Sequence, residues 1–309
     1  EQLKTFAYES LTNFYKTWCR PDLQAVIVVG DVDVDQIEAK LKTIFADIPA
    51  AENPQEKIIY SLPQNEEPII GVITDPEATS SSIEVLWKSE PLPKEFGNTV
   101  EGYMIDLVKS YIYYIMQERF SDITSKPGAP FLGASLSVGR LCTTCEGVFA
   151  NVSFKDGDAV NAFGAMMLEV EKMKRFGFTD GEVERAKAKI MSHYERAVEA
   201  APTRKNADFV RPLLNAFYHN EAYMDPETEL QVAQMICSQL NAAVLSQIAA
   251  SMITDENMVV LYNGPEKEGL VNPTEEELAA VIAAVKNAEI EANVEEAVNE
   301  PLISKNLKG

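Results

Sequence analysis

The sequence predicts an α+β fold: an antiparallel sheet with helices packed on one face, preceded by a partial copy of the same kind of domain. Three observations carry this expectation. Strand-like segments come in adjacent pairs, not in the one-for-one alternation with helices that a doubly wound parallel sheet requires. Helical patterns bunch together in the second half of the chain. A short order of signals near the start also returns near the end.

The elements follow in order. "EQLKTFAYESLTNFYKTW" is amphipathic and helical in spacing. After it, "RPDLQAVIVVGDVDVDQIEAKLKTIF" reads as a buried strand at 25–30, a glycine stop and a capped helix. Asp33 and Gln36 supply the capping box, and Val34, Ile37, Leu41, Ile44 and Phe45 form one apolar stripe. The Pro-, Asn- and Glu-rich stretch 51–67 reads as a linker. From Pro68, "IIGVIT" is a continuous apolar strand and "SIEVLWK" alternates, with Asp75-Pro76 and serines turning the chain between them. A helix then runs from about Thr99 to about Phe120. Two strands follow, around 131–139 and 146–155. The chain turns helical through "AVNAFGAMMLEVEKMKRF", which stops at Gly177 as a C-cap. Thr179 and Glu182 form another capping box and open a long helix to Glu199, broken by Ala201-Pro202. Helices near 205–219, 226–239 and 241–252 precede a last strand, "NMVVLYN". Thr274 and Glu277 cap a final helix to about Glu289.

The recurring order is polar turn, apolar strand, glycine, gap, capped helix. It occurs after Asp22 and again after Glu256. A repeat at that separation suggests tandem homologous domains. If the strand near 258 closes a domain begun near 68, the strand at 25–30 closes an earlier one that lies mostly upstream. The expected organisation is therefore a domain tail at 1–50, a linker at 51–67, a second domain at 68–290 and a linker at 291–309.

Composition narrows the function. The 309 residues carry a net charge of −21, from 27 Lys and Arg against 48 Asp and Glu. Such a surface repels nucleic-acid phosphates and anionic lipid, and no basic run offsets it. No apolar stretch reaches membrane-spanning length. Acidic stretches such as "TEEEL" and "EIEANVEEAVNE" read as solvated helix faces and linker. There is no phosphate-cradling glycine loop and no nucleophile elbow. Of four cysteines, Cys142 and Cys145 form a lone CxxC between two strand-like flanks. A structural zinc site needs a second ligand pair, and a redox CxxC ordinarily opens a helix after a strand. Both cysteines are accordingly expected to be ordinary small residues near a hairpin turn.

"FYKTWCRPDLQAVIVVGDVDVDQIEAKLKTIFADIP" resembles the domain-ending segment of the pitrilysin/insulinase family of zinc metallopeptidases. Val29, Gly30, Asp31, Ile48 and Pro49 hold that segment's landmarks, while Cys19 replaces its usual tyrosine and Leu23-Gln24 its Asn-Met pair. The remainder resembles the family's second domain, including "QERFSDITSKPGAPF" and "GFTDGEVERAKAKIM". The resemblance implies a parent that hydrolyses peptides with zinc held by His-x-x-Glu-His, the Glu acting as base on metal-bound water. That motif is absent here. The two His, His193 and His219, lie in separate helical segments. His193 reads as a helix-surface residue and His219 as a cation near a helix C-terminus. The family's substrate-closing Arg and Tyr, seven residues apart, would stabilise an oxyanion. Arg119 fits the arginine, but Lys126 stands where the tyrosine would, so Arg119 is expected to be a helix C-terminal cation.

No catalytic, cofactor-binding or metal residue is therefore assigned in this chain. The resemblance implies zinc only in the full-length parent, and as partners the remaining domains of that parent and a peptide substrate. The expected role is a non-catalytic part of the peptidase that helps form its substrate chamber. The alternative is a zinc-free homologue serving as a structural or assembly subunit.

Overall fold

The computed structural model describes residues 2–294. Most of the linker expected at 291–309 lies outside the described residues. Five strands form one sheet: β1 (Ile69–Asp75), β2 (Ser81–Ser89), β3 (Gly133–Cys142), β4 (Cys145–Phe154) and β5 (Met258–Pro265), in the order β1-β5-β2-β4-β3. The strands paired as their alternation required. Ile83, Val85 and Trp87 of β2 stand opposite Val152, Ala150 and Val148 of β4, and opposite Tyr262, Val260 and Met258 of β5. Residues directly opposed on neighbouring strands share a face. These residues therefore form one continuous buried layer, extended by Leu136 of β3 and by Ile70 and Val72 of β1.

The α+β class is as expected, but one pairing is not antiparallel. β5 inserts between β1 and β2 and runs parallel to β1. The reason is geometric. The turn after Asp75 reverses the chain, so β1 and β2 run in opposite directions. A strand antiparallel to β2 must then be parallel to β1.

Helices cover the buried layer. α4 (Val100–Thr124) packs on β3, α5 (Ala159–Phe176) on β2 and β4, and α10 (Glu275–Lys286) on β1 and α5. α6 (Asp180–Ala200), α8 (Pro226–Gln239) and α9 (Ala242–Met252) pack against α4 or α5 and add to the same core. α7 (Asn206–His219) buries none of its residues and stands outside that core. Two of the three capping boxes read from the sequence are present: Thr179 Oγ1 accepts from Glu182 N at 3.2 Å, and Thr274 Oγ1 from Glu277 N at 3.1 Å, with both glutamates returning to the cap backbone, whereas Gln36 Nε2 donates to Asp33 Oδ2 and leaves that box half made. Gly177 ends α5 at φ +70°, where a Cβ would also collide with Ser246.

The first fifty residues are different. α1 (Gln2–Thr5), α2 (Tyr8–Trp18) and α3 (Val34–Ile44) form as expected, and Asp33 caps α3 by accepting from Gln36 N at 3.0 Å. Residues 25–30, however, adopt no regular structure and pair with no strand, contrary to the strand expected there. Val26 and Val28 are 55% and 46% exposed. A strand exists only when a neighbour takes its backbone groups, and none of the five strands offers this segment a partner.

Candidate functional site

A peptidase centre would need ligands and a base in one place, and the described residues do not bring them together. His193 lies on α6 beside Tyr194, with ring centroids 5.8 Å apart. His219 ends α7, where its Nδ1 meets the guanidinium of Arg140. Among the described residues, no group of three or more His, Cys, Asp or Glu could hold a metal ion. The donor set does not fit catalytic zinc, which takes three protein ligands and leaves one position open.

Arg119 is not the helix C-terminal cation expected of it. It lies within α4, more than a turn before the end, and is buried. Its Nε and Nη2 donate to both carboxylate oxygens of Glu182 at 2.6 and 2.9 Å, and Nη2 also donates to Gly177 O at 2.8 Å. Its guanidinium carbon lies 5.3 Å from the Phe178 ring centroid. Phe178 N in turn donates to Ser246 Oγ of α9 at 2.9 Å. One cluster thus ties α4, the α5–α6 turn and α9 together. Burial alone would raise the Glu182 carboxyl. The hydrogen bonds and charge of Arg119, with the Thr179 cap, outweigh burial and hold it below the ordinary carboxylate value. Arg119 thus joins these elements through Nε and Nη2, while its buried Nη1 has no hydrogen-bond partner among the described residues. Glu182 shows in the sequence as a capping residue; its second role, toward Arg119, depends on two helices meeting and has no sequence signal.

Two further networks are equally silent in sequence. Tyr111 Oη donates to Cys237 Sγ at 3.0 Å inside the core. Tyr103 Oη lies 2.9 Å from Tyr194 Oη and 3.2 Å from Glu229 Oε1, its one hydrogen available to either acceptor, and burial pushes the Tyr103 phenol far above its ordinary value. A raised phenol stays protonated, which suits a hydrogen-bond donor and not a nucleophile.

What remains is a surface. The core draws from the sheet only the residues of its helix-covered face. The opposite face carries the buried Leu86 with the half-buried Phe149, Val259 and Leu261 in an apolar strip, flanked by the polar Glu84, Asn151 and Ser153. Toward the β1 edge, Ile69 and Ile73 on that face are exposed. β1 and β3 stand at the two edges of the sheet. Such a face can support an extended chain by apolar contact, and an edge strand can add one through backbone hydrogen bonds.

A model of the peptidase M16 inactive domain matches residues 5–190, more than half of the chain. The chain belongs to the peptidase M16 inactive-domain family. It is 21% identical over 300 residues to the zinc protease PQQL-like protein of Arabidopsis thaliana, covering 96% of this chain and 28% of that relative. It is 20% identical over 248 residues to the probable zinc protease PqqL of Escherichia coli K12, covering 80% and 26%. The chain thus spans little more than a quarter of the curated relatives it matches. In three dimensions it resembles the crystal structure of the first half of the periplasmic protease PqqL from Escherichia coli. The TM-score is 0.79 at 18% identity, covering 95% of this chain and 62% of that one. The M16 peptidases include the insulinase-type enzymes that the sequence resembles. Among the described residues of this M16 chain, no helix is long and apolar enough to cross a membrane.

Proposed function

We propose that this chain is a non-catalytic part of a zinc-dependent M16 peptidase. In this reading residues 68–290 form a wall of the substrate chamber and residues 1–50 belong to a neighbouring catalytic-type domain. Membership of the inactive-domain family carries the proposal, and the names of the relatives favour a zinc peptidase over a zinc-free assembly subunit. The first fifty residues support it physically. α2 and α3 bury nothing, yet both are amphipathic, and Leu11, Phe14, Ile44 and Phe45 face solvent beside the unpaired segment 25–30. An apolar segment between two such helices needs a further sheet to pair with and a core to cover it. The open sheet face is the surface offered to peptide.

Two measurements test this. Purified alone, the chain should hold no stoichiometric zinc and should leave a quenched-fluorescence peptide uncleaved. Tightly held zinc with chelator-sensitive hydrolysis would place a centre within this chain and overturn the proposal. In the parent polypeptide, a photo-reactive residue replacing Phe149 on the open face should crosslink bound peptide, and one replacing Glu195 on α6 should not. Equal crosslinking from both would remove the open face from the chamber.

A further inference from the structure

The CxxC pair is better placed than its sequence suggests. Cys142 ends β3 and Cys145 opens β4, and the two are direct partners across the hairpin, joined only by Thr143 and Thr144. Neither threonine has a positive φ, so the turn is not of the primed types that two-residue hairpins favour. The register slips between Arg140 and Cys142, which leaves Leu141 as an extra residue and brings the two cysteines opposite one another. Opposed residues on antiparallel strands project to one face with Cα atoms roughly 4.5–5.5 Å apart, within the span of about 4.4–6.8 Å that a disulfide bridges.

The two sulfurs are also unlike. Cys142 is exposed, and its Sγ lies 3.6 Å from Thr144 Oγ1. The Thr144 hydroxyl and the backbone N–H groups of Thr144 and Cys145 favour the thiolate and hold this thiol below its ordinary value; the one hydroxyl hydrogen serves either this sulfur or Tyr60 O, and the two backbone N–H groups do not depend on that choice. Cys145 is buried, its Sγ donates to Glu146 O at 3.4 Å, and burial raises its thiol. It nonetheless lines a cleft of about 610 Å³ bounded by the linker residues Ile59, Leu62 and Pro63. The same turn holds the linker, because Thr144 Oγ1 donates to Tyr60 O at 2.9 Å. A soft metal would need donors beyond these two sulfurs, and the described residues provide no third.

We propose that Cys142 and Cys145 are a redox-active pair that closes to an intrachain disulfide by exchange with a low-molecular-weight disulfide, Cys142 attacking and Cys145 resolving. The Cys142 thiolate attacks one sulfur of glutathione disulfide, forming a mixed disulfide and releasing one glutathione thiolate. Cys145, giving up its proton, then attacks Cys142 Sγ and expels the second glutathione. Two protein thiols are oxidised, one small disulfide is reduced to two thiols, and the two protons leave with them. The bridge clamps the turn that grips Tyr60, so the linker's anchor becomes sensitive to redox state. The inference rests on the hairpin geometry and not on the role proposed for the whole domain.

The test equilibrates the intact chain in glutathione buffers, quenches in acid, alkylates free thiols and maps the peptides by mass. Cys142 and Cys145 should lose alkylation together and appear as one linked peptide, while the buried Cys237 stays free. In Cys145→Ser, Cys142 should accumulate glutathione; in Cys142→Ser, Cys145 should stay reduced. Under iodoacetamide at neutral pH, Cys142 should react several-fold faster than the exposed Cys19. Stable glutathione on Cys142 of the unsubstituted chain without a Cys142–Cys145 link would overturn the proposal. So would Cys142 reacting no faster than Cys19. Stoichiometric zinc that shields both sulfurs from oxidation would replace the redox pair with a metal knuckle.

Discussion

Residues 2–50 and residues 68–286 use the same local vocabulary and reach opposite outcomes. Both contain side-chain-capped helices, both contain an apolar segment of strand composition, and each apolar segment leads to a glycine and then a helix. In the larger region the apolar segment 258–265 becomes β5, central in the order of strands and paired on both sides. In the smaller region the corresponding segment stays irregular and unpaired, and neither α2 nor α3 buries a residue. Helix formation needs only a chain segment with its own hydrogen bonds and a cap. A strand needs a neighbour. Where neighbours are present, local signals become a packed domain; where they are not, only the helices appear.

The largest test of this contrast is the buried pair. Replacing Arg119 by Ala strands the Glu182 carboxylate in the core and is expected to cost about 3–5 kcal/mol in denaturant unfolding. Replacing Arg20, itself buried but paired with a half-exposed Asp22, leaves no stranded carboxylate and should cost less, about 1 kcal/mol. Pairing Arg119→Met with Glu182→Gln removes the stranded charge and keeps the cap's acceptor, so it should recover part of the loss. The same pair sets an acid response. Glu182 titrates below its ordinary value of 4.5 when folded. Its contribution is therefore complete above that pH and is lost as pH falls through the lower folded value. The stability gap between the unsubstituted and Arg119→Ala chains should narrow as pH falls, because acid removes the ion pair in one and relieves the stranded carboxylate in the other; a gap independent of pH would take the response away from this pair.

Glycines come next. A Cβ at Gly147 would sit 2.0 Å from the Trp87 carbonyl oxygen, inside the β2–β4 pairing. Gly147→Ala should cost about 1–3 kcal/mol. At Gly30 the nearest atom would be 3.7 Å away, so Gly30→Ala should change stability by less than about 0.5 kcal/mol. A large loss at Gly30 would mean that segment 25–30 is packed after all.

The smallest effect is the most diagnostic. Thr179→Ala and Asp33→Ala each remove a cap worth about 1 kcal/mol to its own helix. The Thr179 change should appear in global unfolding, because α6 is part of the core. The Asp33 change should leave the global transition where it is and only speed amide exchange within α3, by about fivefold. Equal shifts from the two would show that both regions unfold as one unit.

The sequence by itself determined every helix boundary that a cap or a stop residue marks. Asp33, Thr179, Gly177 and Thr274 all act where their residue types required, because those signals are satisfied within a few positions of the chain. It also determined which face of β2 is buried, since the period-two alternation of Ile83, Val85 and Trp87 fixes that before any partner is chosen. It determined that no zinc motif is present, because that motif must lie on one turn of one helix. Tertiary structure alone decided the rest. It placed β5 between β1 and β2 and so made one edge pairing parallel. It buried Arg119 against Glu182, and set Cys142 opposite Cys145 through a one-residue slip. It also left 25–30 without a ladder. Each of these depends on which distant backbone arrives alongside, and a strand's hydrogen bonds, unlike a helix's, are made with residues that its own sequence does not contain.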